Sequence, residues 1–331
     1  MSASQFPSLI HKFFTERLLL QQGASPHTVE SYRDTFRLLL CFATQHFKRE
    51  PSKLLMEEID APFLETFLRY LELDRANSAR TRNNRLAALH AFFRFVVLNE
   101  PAFALQCQRI LAIPAKRYER TQVEFLTEEE AAALVAAPDL ETWIGRRDRA
   151  LLLVAIQTGL RNSELTQLKC QDVKLGTGAH VRCLGKGRKM RCTPLQPDAA
   201  AILKEWLSEQ HGEPGDPVFP KLHGGHLSAD AFQRLVLRHT ANARLTCPSL
   251  RTKSVTPHTL RHSAAMNLLR RGIEPSVIAL WLGHESIETT QIYLHADMEL
   301  KERALAHATS SGFVPDRYQP PDPLLAFLES L

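Results

Sequence analysis

Residues 179–194 read Ala-His-Val-Arg-Cys-Leu-Gly-Lys-Gly-Arg-Lys-Met-Arg-Cys-Thr-Pro. Two short runs of alternating character flank Gly185-Lys186-Gly187-Arg188-Lys189, which predicts a β-hairpin with a basic turn. Helical spacing dominates the rest of the chain, so this stretch sets the class as mainly α with a small β-sheet or hairpin in its second half. Upstream of the hairpin, Thr127 followed by Glu130 makes a capping box. A further helix is predicted from about Trp143 through Leu153 to Gly159. Downstream, helical patterns continue to about residue 308. The stretch Ser310 to Pro323 is rich in proline and polar residues and leads to Leu324, Leu325, Phe327, Leu328 and Leu331, a tether carrying an apolar helix.

The first third of the chain has no strand signal. Ser25-Pro26-His27-Thr28 is a helix start with an N-cap serine and proline at the first helical position, followed by Val29, Tyr32, Phe36, Leu39 and Leu40 at helical spacing. A second helix begins at Asn77 or Ser78 and runs through Leu86, Leu89, Phe92, Phe93 and Val96, with Arg80, Arg82, Arg85 and Arg94 around it. Segments Phe6 to Leu20 and Ala61 to Leu71 complete an all-helical domain. Pro114 and the charged stretch Lys116 to Glu124 interrupt the periodicity as an interdomain linker. The expected organisation is a helical domain over 1–115, a linker over 116–124 with the boundary near residue 120, a second domain over 125–309 and a tail over 310–331.

Composition narrows the function classes. With 331 residues, 44% hydrophobic and 23% charged, the chain is long enough for two cores. Its longest apolar runs, Leu151 to Ile156 and Phe92 to Leu98, are too short to span a bilayer, and the first residues lack a signal-peptide pattern, so a cytoplasmic location is expected. Cys41, Cys107, Cys170, Cys183, Cys192 and Cys247 include no Cys-x-x-Cys pair and indicate neither a zinc site nor a disulfide framework. The net charge of +5 is compatible with an anionic partner.

An ordered series of polar residues carries the chemistry: Arg161, Lys186, His258, Arg261, His284 and Tyr293. Each has a plainer reading alone. Arg161 and Glu164 match a solvated i,i+3 ion pair. Gly185-Lys186-Gly187 matches a charged turn and lacks the spacing of a P-loop. His258 and His262 are spaced like zinc ligands, but Thr259 stands where His-Glu-x-x-His has glutamate, and no third ligand is evident. His284 matches a core or cap histidine, and Tyr293 an aromatic packed beside Ile292 and Leu294.

Together, Thr158-Gly159-Leu160-Arg161-Asn162-Ser163-Glu164-Leu165, Gly185-Lys186-Gly187, His258-Thr259-Leu260-Arg261-His262, and Leu282-Gly283-His284 followed nine positions later by Tyr293 resemble the tyrosine recombinases, or phage integrases, and within them the Xer-like members. The resemblance spans nearly the whole chain. It implies a two-domain C-shaped DNA clamp, with a SAM-like helical core-binding domain and a tyrosine recombinase catalytic domain. It implies Tyr293 as nucleophile, His258 assisting proton transfer and Lys186 protonating the departing 5′ oxygen. Arg161, Arg261 and His284 suit the charge that develops on the nonbridging phosphate oxygens, and Glu164 would orient the site.

A phosphotyrosyl link retains the bond energy, so no cofactor and no metal are expected. Arg82 and Arg85, and more weakly Lys189, Arg191, Arg234, Arg238 and Lys253, are candidate DNA contacts chosen by charge and family position. The expected partner is double-stranded DNA with paired half-sites, bound by a homotetramer or a mixed tetramer with a related recombinase, each strand pair exchanged through a Holliday junction. The Pro-rich extension tilts the expected role toward a mobile element over Xer-type resolution. A supercoil-relaxing type IB topoisomerase and a non-cleaving DNA-binding protein of recombinase ancestry are the alternatives.

Overall fold

Ser25 accepts a hydrogen bond from the Thr28 backbone N–H at 3.2 Å, satisfying one of the donors that a helix start leaves open. In the computed structural model, which describes residues 6–118, 123–185 and 190–284 together with Thr290 and Tyr293, this cap opens α2 (Pro26–Phe47). Before it, α1 (Phe6–Lys12) continues as a π-helical stretch, Phe13–Gln21, where a plain α-helix was expected. Asp60 caps α3 (Ala61–Leu73), and Ser78 caps α4 (Ala79–Asn99). α5 (Ala104–Leu111) packs against α4. The inner faces of these helices bury an aromatic cluster, with Phe92 at 5.4 Å from Phe13 and 5.2 Å from Phe36 between ring centroids. Edge-to-face pairs of this kind stabilise beyond their buried area.

The chain divides into two compact units, Met1–Arg120 and Thr121–Leu331, each with its own core. Both ends of the expected linker are fixed to their own unit. Lys116 is bonded to Asn83 through its backbone N–H and carbonyl, and its ammonium reaches Glu72 at 2.8 Å. On the other side, the Leu126 N–H donates to Ser263 Oγ, and the Glu124 carboxylate accepts from the Ser254 N–H.

The second unit opens with α6 (Glu128–Ala136), where Thr127 and Glu130 form the expected reciprocal capping box. α7 (Trp143–Thr158) ends at Gly159, whose φ of +62° is left-handed. A Cβ there would also meet Leu282 Cδ2 at 2.6 Å and Ala264 Cβ at 3.0 Å, so both backbone and space require glycine. After the short α8 (Asn162–Thr166), the chain forms an antiparallel sheet in the order β1 (Val173–Lys174), β2 (His180–Leu184), β3 (Met190–Pro194). The β2–β3 register pairs Val181 with Thr193 and Leu184 with Met190, so the predicted hairpin is present and carries a third, two-residue strand at its edge. Helices α9 (Pro197–Gln210), α10 (Ala229–Thr246), α11 (Pro257–Arg270) and α12 (Pro275–Leu282) complete the described unit. α11 packs on α7, and α12 packs on α11 and β3. Among the described residues no helix is long and apolar enough to cross a membrane. The predicted tail helix lies outside the described residues.

Candidate active site

The left-handed Gly159 turns the chain so that Arg161 becomes the N-cap of α8. Three residues on, Glu164 accepts from the Arg161 backbone N–H at 2.7 Å and from its guanidinium at 2.8 Å. The pair is therefore part of a buried network, because Arg191 on β3 grips the same carboxylate with two bonds of 2.8 and 2.7 Å. Burial alone would raise the Glu164 pKa, but the Arg191 hydrogen bonds and the Arg161 backbone N–H outweigh it and pull the group down to about 2. Glu164 is thus a fixed anion between two guanidinium groups.

Those arginines, with Arg261 from α11, converge on the C-terminus of α12. Arg161 donates to the Gly283 carbonyl at 2.8 Å, Arg261 to the Leu282 carbonyl at 2.7 Å, and Arg191 to the Trp281 carbonyl at 3.3 Å. The last carbonyls of a helix have no partners within it and carry its negative dipole end, so cations there are favourable. Arg261 also donates to the Gly159 carbonyl at 2.6 Å, which ties the end of α7 to the end of α12. It is only 4% exposed. Burial, reinforced by Arg161, lowers its pKa to about 10, so the guanidinium stays charged at neutral pH.

His284 follows this arginine-held end, and its Nδ1 lies 2.8 Å from Thr290 Oγ1. Burial first, then Arg261 and Arg161, lowers its pKa to about 4, so it is neutral at physiological pH. Tyr293 is 1% exposed, within a cluster that includes Ala265, Met266, Leu269, Ile278 and Leu282. Burial raises its pKa to about 12, partly opposed by Arg261. Its hydroxyl lies 2.9 Å from His262 Nδ1. His262 is edge-on to His258, with centroids 4.9 Å apart, while the exposed His258 stands one turn earlier on α11.

The structure thus brings together Arg161, Glu164, Arg261, His258, His284 and Tyr293. Lys186 and Lys189 lie outside the described residues. Two participants were not given this place by the sequence reading. His262 was considered as half of a zinc pair, and among the described residues no group of three or more His, Cys, Asp or Glu side chains is arranged to hold a metal. Its i,i+4 spacing from His258, on the face that carries Arg261, was the signal available. Arg191 was read as a candidate DNA contact, whereas its guanidinium is committed to Glu164 and Trp281.

The other basic candidates divide by their surroundings. Arg82 is 6% exposed and donates to the Pro114 carbonyl at 2.8 Å, so it fastens α4 to the end of its own unit. Arg85 is half-buried, and desolvation lowers its pKa, with Asp34 opposing. Lys253 bonds Glu130 at 2.6 Å and the Phe125 carbonyl at 2.8 Å, neutralising the buried capping-box carboxylate. Arg238 pairs with the fully buried Asp148, but its side chain remains 57% exposed. Arg234 is exposed on α10.

Comparison with known proteins agrees along the chain. The Phage integrase family matches residues 124–299, and the Phage integrase N-terminal SAM-like domain matches residues 12–100. A putative integrase/recombinase, y4rC, of Sinorhizobium fredii is 52% identical over 324 residues, covering 98% of this chain and 97% of the relative. Tyrosine recombinase XerD of Pseudomonas putida is 31% identical over 300 residues, covering 87% and 94%. The crystal structure of XerH site-specific recombinase bound to palindromic difH substrate, in a post-cleavage complex, superposes with a TM-score of 0.67 at 25% identity, covering 86% of this chain and 81% of that one.

Proposed function

This chain belongs to the phage integrase family and is a tyrosine site-specific recombinase, and from that premise we propose that Tyr293 is the nucleophile. Its hydroxyl attacks a DNA phosphodiester to give a 3′-phosphotyrosyl link. Arg161 and Arg261 bind the nonbridging oxygens, where planar, permanently charged donors match the geometry and charge of the phosphate. His284 adds a donor where charge develops. Lys186 protonates the departing 5′ oxygen, and Glu164 with Arg191 holds Arg161 in place. The observation that carries this reading is the convergence of Arg161, Arg191 and Arg261 on residues 281–283 beside the buried Tyr293 hydroxyl.

Double-stranded DNA with paired half-sites is the substrate, contacted by the helical core-binding unit and by the catalytic unit. Arg234 and Arg238 are the described cations of the earlier set best exposed for phosphate contacts. Two pairs of subunits act in turn on a Holliday junction within a tetramer, of this chain alone or mixed with a related recombinase. The setting is the bacterial cytoplasm, and the high identity to a putative integrase/recombinase supports a role in moving a DNA element.

The decisive experiment incubates wild type and Tyr293→Phe with nicked duplexes drawn from the DNA flanking the gene, without added metal. A 3′-linked, SDS-resistant adduct in wild type that is missing from the variant is expected. Tight, salt-sensitive binding with no adduct on any flanking sequence would instead favour a non-cleaving DNA-binding protein.

A further inference from the structure

His284 can lose its use as a donor by the shift of one proton. Burial first, then Arg261, Arg161, His262 and Arg191, all weigh against a second proton on its ring. A neutral imidazole carries a single N–H, on either Nδ1 or Nε2. A phosphate oxygen only accepts hydrogen bonds, so the nitrogen that meets it has to be the protonated one. With Nδ1 already engaged by Thr290, Nε2 is the nitrogen left for the phosphate.

Thr290 Oγ1 stands 2.8 Å from His284 Nδ1, and the residue is 1% exposed. At that burial the hydroxyl is shielded from competing water. The histidine is held in other ways too. Its backbone N–H donates to the Ala279 carbonyl at 2.9 Å, just after the left-handed Gly283. The Tyr293 ring lies nearly parallel to the imidazole, at 14° with centroids 6.4 Å apart. The freedoms left are a half-turn of the ring about its Cβ–Cγ bond and exchange of the proton between the nitrogens. A hydroxyl bonded at Nδ1 stops both. A backbone carbonyl or a carboxylate, the frequent partners of Nδ1, would demand Nδ1–H and turn a bare nitrogen toward the anion. A hydroxyl can give its proton instead.

Resting on the reading of His284 as a phosphate donor, we infer that Thr290 is a positioning residue for strand cleavage and rejoining: its Oγ1–H donates to His284 Nδ1 and so keeps the imidazole proton on Nε2, aimed at a nonbridging phosphate oxygen. The two bonds run in one direction, Oγ1–H to Nδ1 and Nε2–H to phosphate. Each therefore polarises the other as charge builds on the phosphate oxygens. Thr290 acts through His284 and needs no contact of its own with DNA.

The test reads the tautomer and the rate separately. Long-range proton–nitrogen correlation spectra are recorded on the full chain isotope-labelled at histidine, with the His284 signals identified by their loss in His284→Asn. They are expected to show a neutral ring protonated at Nε2, both in the free protein and on a nicked duplex held uncut by Tyr293→Phe. Thr290→Val keeps the shape and removes the hydroxyl, so it should mix the two tautomers, and Thr290→Ser should restore the wild-type pattern. Losing a transition-state donor outright costs about 10²- to 10³-fold, so Thr290→Val is expected to slow single-turnover adduct formation by about ten-fold or more. Duplex affinity and melting temperature should stay near wild type, and Thr290→Ser should return most of the rate. In a His284→Ala background, Thr290→Val should cost nothing further. An Nδ1–H tautomer or a doubly protonated ring in wild type overturns the proposal, and these spectra decide it whatever the stability of the variants. So does a Thr290→Val rate close to wild type, or an equal loss when His284 is already absent, since that marks a packing role. Wild type that shows the expected tautomer but forms no adduct overturns the recombinase reading and this assignment with it.

Discussion

Gly159, Glu164 and Tyr293 show how strongly single residues constrain this site. Gly159→Ala combines a left-handed backbone with contacts to Leu282 and Ala264 that cannot be made. The backbone cost is roughly 1–2 kcal/mol and the overpacking cost typically 1–3 kcal/mol, so a loss of about 2–5 kcal/mol in urea unfolding is expected. Glu164→Gln would leave Arg191 in the interior without its anion, and breaking a buried pair costs about 3–5 kcal/mol. Its melting temperature should fall clearly and its adduct yield at least ten-fold, while Glu164→Asp recovers part of both. Arg261 and Tyr293 were legible because each sits in a short local motif. The place of His262 was not, because it depends on how α11 is rotated against a residue 31 positions away. Arg82 and Lys253 read as surface charge because the groups that bury them, the Pro114 carbonyl and Glu130, lie 32 and 123 residues distant.

Among the elements, those with local signals were read well. Ser25, Ser78 and Thr127 each cap the helix expected of them, because a cap is a matter of a few adjacent atoms. The hairpin followed from alternation, whereas β1 is two residues long and offers no period to detect. The π-helical winding of Phe13–Gln21 is invisible to apolar spacing for a similar reason: the stretch still buries Phe13 and Leu18. The α6 cap gives a direct test. Thr127→Ala removes the acceptor for the Glu130 N–H, and N-cap losses cost typically about 1 kcal/mol. The expected result is a stability loss of that size in denaturant unfolding with little change in adduct formation.

For the whole molecule, acid is the sensitive direction. His262 and His284 have folded pKa values of about 4, set mainly by burial, against an ordinary value of 6.5. The unfolded chain therefore binds more protons than the folded one between these values, and each tenfold difference in proton affinity is worth about 1.4 kcal/mol. Stability is full above pH 6.5 and is lost as the pH falls through 4, so the melting temperature should drop across that window. His262→Gln should flatten part of the drop. If the proposed duplex contacts engage six or more phosphates, affinity should fall about 10³-fold or more between 50 and 200 mM salt, which a fluorescence titration would measure. One local feature also governs what sequence drift the fold tolerates. The guanidinium groups on α12 hold carbonyl oxygens, which every amino acid supplies alike. Exposed Val277 and Leu280 can therefore diversify across lineages without shifting the arginines, whereas Gly283, with φ of +67° and Arg191 2.9 Å from any added Cβ, is denied that freedom.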